Sequence, residues 1–498
     1  MKSKSKASLL NLISGFFYQG VAAFCGFVIP GMLLSHYGAA LHGYISTINS
    51  FMVYVSLATM GLSPAAIQAY YKPLAKKNNK EISCVYNTVA KLYNKAAFFY
   101  LGGLVIVMLI LLISLKGQID NIYIISILFA IGLNGVLECL LYSRCRVFLQ
   151  ADQSLYIVNF IDCIMYAIRM VVQIILVKSN TSIVWIVVVP TIITPFKAII
   201  LKKIIAKKYV INKRICANVN LLGKRYSAFV HQIAGIIVLN TDVVLLTLFG
   251  NLVLTSIYSV YNLVFSGIYG ILTNIFKNGL VASFGNLIFE KKTKDRLKQV
   301  YDQYEFVYFI IVTIIYSCCG SLILPFVRLY TQGQAIAYEN TLIAMLFLFI
   351  GLANNIRVPA DTIITAAGHF KETQWRAAAE ASINLTLSLI LIHPLKIVGI
   401  LLGTMVSFLY RSTDIIIYTY KYILNKKLFM CIKRIVRMIL TIALCIFINA
   451  FILKRFHIYS WHDWMLVGIM IFFENTVLSL FVNYIFESEM IKNFLKTR

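Results

Sequence analysis

The chain has 498 residues, 60% of them hydrophobic and only 13% charged, and its 46 basic and 19 acidic side chains leave a net charge of +27. A soluble domain carries about a quarter of its residues as charges, and a basic disordered chain lacks this apolar content, so both classes are excluded. The apolar runs are continuous rather than alternating, which excludes a membrane β-barrel, and no polar segment is long enough to build a nucleic-acid-binding face.

A transmembrane helix needs roughly 20 apolar residues. Met1-Lys2-Ser3-Lys4-Ser5-Lys6 leads into a first run, 9–35, without a small-residue cleavage site, and this reads as a retained span. Further runs lie at 43–70, 96–115, 121–143, 155–177, 182–201, 228–249, 252–276, 304–327, 341–366, 377–393, 397–420, 435–453 and 464–485. The expected fold is an all-α polytopic membrane protein of about 14 transmembrane helices. Cations fall in alternate connections: Lys72 to Lys95, Arg144 and Arg146, the link from Lys197 to Arg225, Lys291 to Lys298, Lys371 and Arg376, then Lys421 to Arg437. The positive-inside rule places these connections and both termini in the cytoplasm of a cell-membrane protein, so most of the +27 is an insertion signal, with attraction to anionic membrane lipid second.

The longest basic link follows the sixth span. It divides the chain into an N-terminal six-helix lobe, 1–206, a cytoplasmic linker, 207–225, a C-terminal six-helix lobe, 226–425, and two additional helices with a cytoplasmic tail, 426–498. The halves echo each other. His36-Tyr37-Gly38 and Tyr44-Ile45-Ser46 answer to Leu248-Phe249-Gly250 and Ile257-Tyr258-Ser259, and Leu149-Gln150-Ala151-Asp152-Gln153 answers to Thr365-Ala366-Ala367-Gly368-His369, at offsets of 212 to 216 residues. Six spans per half give both copies one orientation, which predicts lobes related by a pseudo-twofold axis along the membrane normal, with a cleft between them.

An ionisable group inside a span costs a few kcal/mol unless it is paired or wet. Arg357 and Asp361, Arg376 and Glu380, and Arg411 and Asp414 are spaced to share a helix face and neutralise each other. Asp162 and Arg169 are seven residues apart, about 10 Å along the axis, too far to pair. Glu138, Asp242, Lys277 and Glu474 have no opposite charge within a turn. The acids are candidate proton or sodium sites, and Lys277 can hold a phosphate as a point charge. Pro30, Pro64, Pro190, Pro195, Pro325 and Pro359, with Gly26, Gly61 and Gly351, mark places where spans break. Isolated histidines such as His36 and His42 are expected to be structural. Ten cysteines show neither metal spacing nor a disulfide framework. No phosphate-cradling glycine loop is present, and outer connections such as Gly250-Asn251-Leu252 leave no room for a catalytic domain. No cofactor, metal, nucleic acid or enzymatic activity is expected.

Tyr37-Gly38 through His42-Gly43, Gly61-Leu62, Tyr71-Lys72-Pro73-Leu74-Ala75, Thr241-Asp242, Ser283-Phe284-Gly285-Asn286, Leu329-Tyr330-Thr331, Ala366-Ala367-Gly368-His369-Phe370-Lys371-Glu372-Thr373 and Gly403-Thr404 with Tyr410-Arg411 occur in an order that carries a resemblance over residues 8–425. The chain resembles the Wzx-type polysaccharide flippases of the multidrug/oligosaccharidyl-lipid/polysaccharide exporter superfamily, in the branch serving Gram-positive capsule and exopolysaccharide systems. The resemblance implies two lobes plus two extra helices, and alternating access that carries an undecaprenyl-diphosphate-linked oligosaccharide outward, with a polysaccharide polymerase complex as a downstream partner. Arg169, Lys277 and Arg357 are then the headgroup cations. Asp242 leads the acids for coupling to H+ or Na+, followed by Glu138, Asp162 and Asp361. The competing readings are an ion-coupled multidrug exporter, whose cavity for cations would be acidic, and a peptidoglycan-precursor flippase. A membrane polymerase or acyltransferase is more remote.

Overall fold

In lipid every backbone polar group must be satisfied within its own segment, so long apolar runs become helices. The computed structural model describes residues 2–212, 215, 226–289 and 294–496. The expected linker, 207–225, lies largely outside the described residues, as do Lys291 and Lys292. By contact the chain forms two compact units. Met1–Ile236 with Leu246–Ser256 form unit 1, and Ile237–Leu245 with Ile257–Arg498 form unit 2.

Unit 1 contains α1 (Lys2–Val55), α2 (Leu62–Ala75), α3 (Asn79–Ser114), α4 (Asn121–Leu137), α5 (Ser143–Ala151), α6 (Leu155–Lys178) and α7 (Ile183–Lys208). Helix α8 (Tyr226–Phe249) contributes to both units. Unit 2 continues with α9 (Leu252–Leu272), α10 (Val281–Phe289), α11 (Lys294–Tyr330), α12 (Thr341–Ile356), α13 (Val358–Ala367), α14 (Phe370–Leu395), α15 (Ile397–Tyr418), α16 (Phe429–Arg455) and α17 (Trp461–Lys496). Among the described residues, twelve helical stretches are long and apolar enough to cross a membrane, and Ile233–Phe249 is a shorter apolar helix.

Two expected spans change form. The runs 9–35 and 43–70 share α1, which bends at Gly38, whose φ of 82° only glycine adopts without strain. The second run does not form one helix: α1 stops at Val55, a 3₁₀ turn follows, and Gly61, at φ 78°, precedes α2. Helix α3 begins at Asn79, well before the expected 96, because Asn78 caps it by accepting from the amides of Lys80 and Glu81. The apolar criterion sees only the membrane-spanning part of such a helix.

Helices are also interrupted before the basic-loop turns of each unit. Helix α4 gives way to a π-helical stretch, Glu138–Tyr142, before α5, and α12 breaks at Arg357 before α13. The turns after α5 and α13 each contain a left-handed residue, Gln153 (φ 58°) and Gly368 (φ 72°).

In unit 1 α1 packs on α6 and α4 on α7, and the basic-loop end is filled by Phe148, whose ring meets Tyr70, Tyr86 and Tyr209 edge-on. His42, buried in α1, bonds Ser256 Oγ at 2.8 Å, as expected of a structural histidine. Beside it, a Cβ on Gly43 would lie 2.0 Å from the Leu252 carbonyl oxygen, so glycine is required for this approach. In unit 2 α14 and α15 form the tightest pair, and α11 lines its buried face with Tyr301, Tyr304, Tyr308 and Tyr316.

Candidate functional site

In unit 1 the wider π turn of α4 brings Glu138 and Tyr142 towards α6 and α7. Lys197 Nζ lies 3.3 Å from Glu138 Oε1 and 4.0 Å from Asp162 Oδ1, and 4.0 Å above the Tyr142 ring. Tyr142 donates to Asp162 Oδ2. Two of the four acids expected to couple ions therefore share one ammonium. Lys197 does not belong to the basic link. It sits inside α7, its side chain only 13% exposed.

Arg169 on α6 is different. Its Nε donates to Gln173 Oε1 at 3.1 Å, and Gln173 is held in turn by the Ile186 carbonyl. Among the described residues it forms no ion pair. It lines a cavity of about 350 Å³ together with Asn49, Asn134, Tyr166 and Cys25, and no acidic side chain lines that cavity. Pro30 and Pro190, two of the expected breaking points, also border it.

Unit 2 holds a chain of ion pairs. Lys277, on the π-helical stretch Thr273–Asn278, pairs with Asp361 of α13. Arg357, at the α12–α13 break, meets Glu380 of α14 at 2.6 Å. Glu380 also faces Arg411 Nε at 3.5 Å, Arg411 reaches Asp414 at 3.0 Å, and Asp414 accepts from Arg376. This corrects the expected pairing of Arg357 with Asp361 and of Arg376 with Glu380. Both arginines find acids on another helix, and only the Arg411–Asp414 pair lies within one helix. Lys277, expected to have no neighbouring acid, is paired, and so is Glu138. Four cations against three carboxylates leave this cluster one positive charge in surplus.

Asp242 has no such partner. It is 1% exposed in α8, and its Oδ2 accepts from Tyr258 at 2.9 Å and Thr404 at 2.8 Å. Asn384 donates to Thr404 at 2.9 Å. Asp242 Oδ1, Asn384 Oδ1 and Ser388 Oγ are buried without a hydrogen-bond partner. Ser388 packs against α15 beside Thr404 because position 403 is glycine: a Cβ there would stand 2.6 Å from its Oγ. A carboxylate, an amide oxygen and hydroxyls form the donor set that a hard cation such as Na+ takes, and a proton on Oδ1 also satisfies the carboxylate. Asn384, Ser388, Thr404 and Tyr258 were missed in the sequence. The available signal was the spacing of Asn384 and Ser388, which puts two polar groups on one face of an apolar span.

A third network, unforeseen, fastens α16 and α17 to α11. Arg434, 2% exposed, meets Glu305 at 3.0 Å and Glu487 at 2.7 Å. Glu487 also takes Arg437 at 2.6 Å, Tyr420 donates to Glu305, and Lys426 pairs with Asp302. Where helices end at the basic side of unit 1, Tyr209 donates to Asp152, and burial together with that carboxylate pushes its phenol above the usual range, keeping it a donor.

The helices are arranged as in several solved membrane transporters, and with twelve stretches long and apolar enough to cross a membrane among the described residues the chain is a multi-pass membrane protein. The lipid II flippase MurJ, in an inward closed conformation, superposes on 97% of this chain and 100% of its own, with a TM-score of 0.67 and 15% identity. An inward-facing multidrug-resistance MATE transporter covers 80% of this chain and 94% of its own, at a TM-score of 0.59 and 11% identity. The eukaryotic MATE transporter AtDTX14 covers 88% and 99%, at 0.56 and 13%. No family profile matches the sequence, and no curated protein matches it.

Proposed function

We propose that the chain is a flippase moving undecaprenyl-diphosphate-linked oligosaccharide repeat units from the cytoplasmic to the outer leaflet for surface-polysaccharide assembly, by alternating access coupled to H+ or Na+. Arg169 carries the reading. A guanidinium inside a span, in a cavity without any acid, is costly to keep unless its partner is an anion that comes and goes, and a diphosphate binds a guanidinium through paired charge-assisted bonds. The surplus positive charge of the Lys277, Arg357, Arg376 and Arg411 cluster supports the same sign of cargo and counts against a cationic drug. Lys277 and Arg357 can hold an anion only by exchanging the carboxylates they now hold. Asp242, with Asn384, Ser388 and Thr404, is the coupling site, in preference to Glu138, Asp162 and Asp361, whose charges are already met by cations.

A peptidoglycan-precursor cargo is the second reading. It is favoured by the full-length likeness to the lipid II flippase, and it shares the polyprenyl diphosphate. Reconstituted vesicles given each lipid in turn decide between the two. Arg169→Ala is expected to lower outward transfer of the preferred lipid at least tenfold while the protein stays folded. Full transfer by this variant refutes the anionic-cargo reading.

A further inference from the structure

Helices α16 and α17 line a groove of about 530 Å³ that borders the Arg434–Arg437–Glu487 network. Its two ends differ in chemistry. At the basic-loop end stand Lys433 and Arg437, with the Phe486 ring beside Arg437, and beyond them along α16 the wall is Leu440 and Leu444. The kink of α17 at Glu487, where the backbone leaves helical geometry, marks the polar end.

The charges at that end are unequal in what they already hold. Glu487 is fully engaged, by Arg434 at 2.7 Å and Arg437 at 2.6 Å. Lys433 forms no ion pair among the described residues, and its ammonium lies 4.5 Å from the centre of the Phe429 ring. One cation, with a second shared, is therefore offered to an anion at the mouth. From Lys433 to Leu444 a helix rises about 16 Å, half of a hydrocarbon core about 30 Å thick. The apolar walls thus match the acyl chain of a single leaflet. A headgroup with one phosphodiester fits this charge. An additional ammonium on the headgroup would be repelled by Lys433 and Arg437.

We infer that the groove between α16 and α17 is a binding site for an anionic membrane phospholipid of the phosphatidylglycerol type, its phosphate on Lys433 and one acyl chain along Leu440 and Leu444. The basic end then faces the leaflet in which such lipids bind juxtamembrane cations. The occupant is a membrane lipid distinct from the transported one.

The test is native mass spectrometry of the full-length protein with phosphatidylglycerol or phosphatidylcholine added from neutral detergent. Wild type should retain phosphatidylglycerol about fivefold better, the effect of one lysine near the surface. Lys433→Gln, at an exposed position where folding is not at stake, should bring that ratio close to one. Leu440→Trp, which fills the groove, should lower retention of both lipids. An unchanged preference in Lys433→Gln overturns the inference. So does displacement of phosphatidylglycerol from wild type by equimolar undecaprenyl phosphate, which would make the groove part of the cargo path.

Discussion

Glu380 offers the sharpest test of how the deep charges of unit 2 are used. Its carboxylate receives Arg357 at 2.6 Å and Arg411 at 3.5 Å, with side-chain exposures of 9%, 13% and 6% for the three residues. Glu380→Gln removes the acid and doubles the surplus charge of the cluster. Arg411 keeps Asp414 at 3.0 Å, so most of the loss falls on Arg357. A unit-charge pair at about 4 Å is worth about 4 kcal/mol at an effective dielectric constant of 20, and breaking a buried pair by removing one partner costs about 3–5 kcal/mol. The double variant Arg357→Met with Glu380→Met removes both desolvation penalties and should lie within about 1 kcal/mol of wild type or above it. The two variants should therefore differ by about 2 kcal/mol or more, roughly 30-fold in the unfolding equilibrium, measured for the full-length protein in mixed micelles. A Glu380→Gln protein as stable as wild type, or a double variant as unstable as the single one, would refute the pairing logic.

Gly43→Ala places a methyl 2.0 Å from a backbone oxygen that cannot rotate away. It should cost about 1–3 kcal/mol in thermal unfolding, while Gly20→Ala, with nothing within 4 Å, should not. Arg434→Ala strands Glu305, which is 1% exposed. It should destabilise by about 3–5 kcal/mol, read as loosened protease protection of α16 and α17. Asp242→Asn removes the only carboxylate from the oxygen cluster and should abolish the sodium or pH dependence of transfer, and an unchanged dependence excludes the site.

The spans were legible because lipid rewards uninterrupted apolar runs, and Asp242 stands out in the sequence as a candidate because an acid in such a run is expensive. The helical extensions were not, since a lysine-rich stretch such as Lys80 to Lys95 continues α3 without meeting any hydropathy criterion. Lys197 was lost to the same rule: a window that closes at the first lysine assigns it to a loop, although α7 runs on to Lys208. Pairings were misread for a different reason. Helix spacing names the acids on a residue's own helix, whereas Arg357 and Arg376 are met by acids on a neighbouring helix, and sequence separation carries no sign of that. The oxygens around Asp242 were invisible because hydroxyls and amides cost little in an apolar run and stand out only when their partners are missing.

The pairing across helices changes what the +27 means. A loop cation directs insertion wherever it lies, so its partners do not matter. A cation within a span persists only if something meets its charge, and Lys197, Lys277, Arg357, Arg411 and Arg434 are each met by a carboxylate from another part of the chain. Their neutralisation makes them poor evidence for an anionic cargo, however deep they sit. Arg169 is informative for the opposite reason. Its hydrogen-bonded partner is the neutral Gln173 and no acid lines its cavity, which is why the proposed anionic cargo rests on it. A net positive composition therefore argues for an anionic ligand only through the residues that remain after internal pairs have been removed, and of the three cations first singled out for the headgroup that leaves Arg169, together with the single surplus charge of the unit 2 cluster.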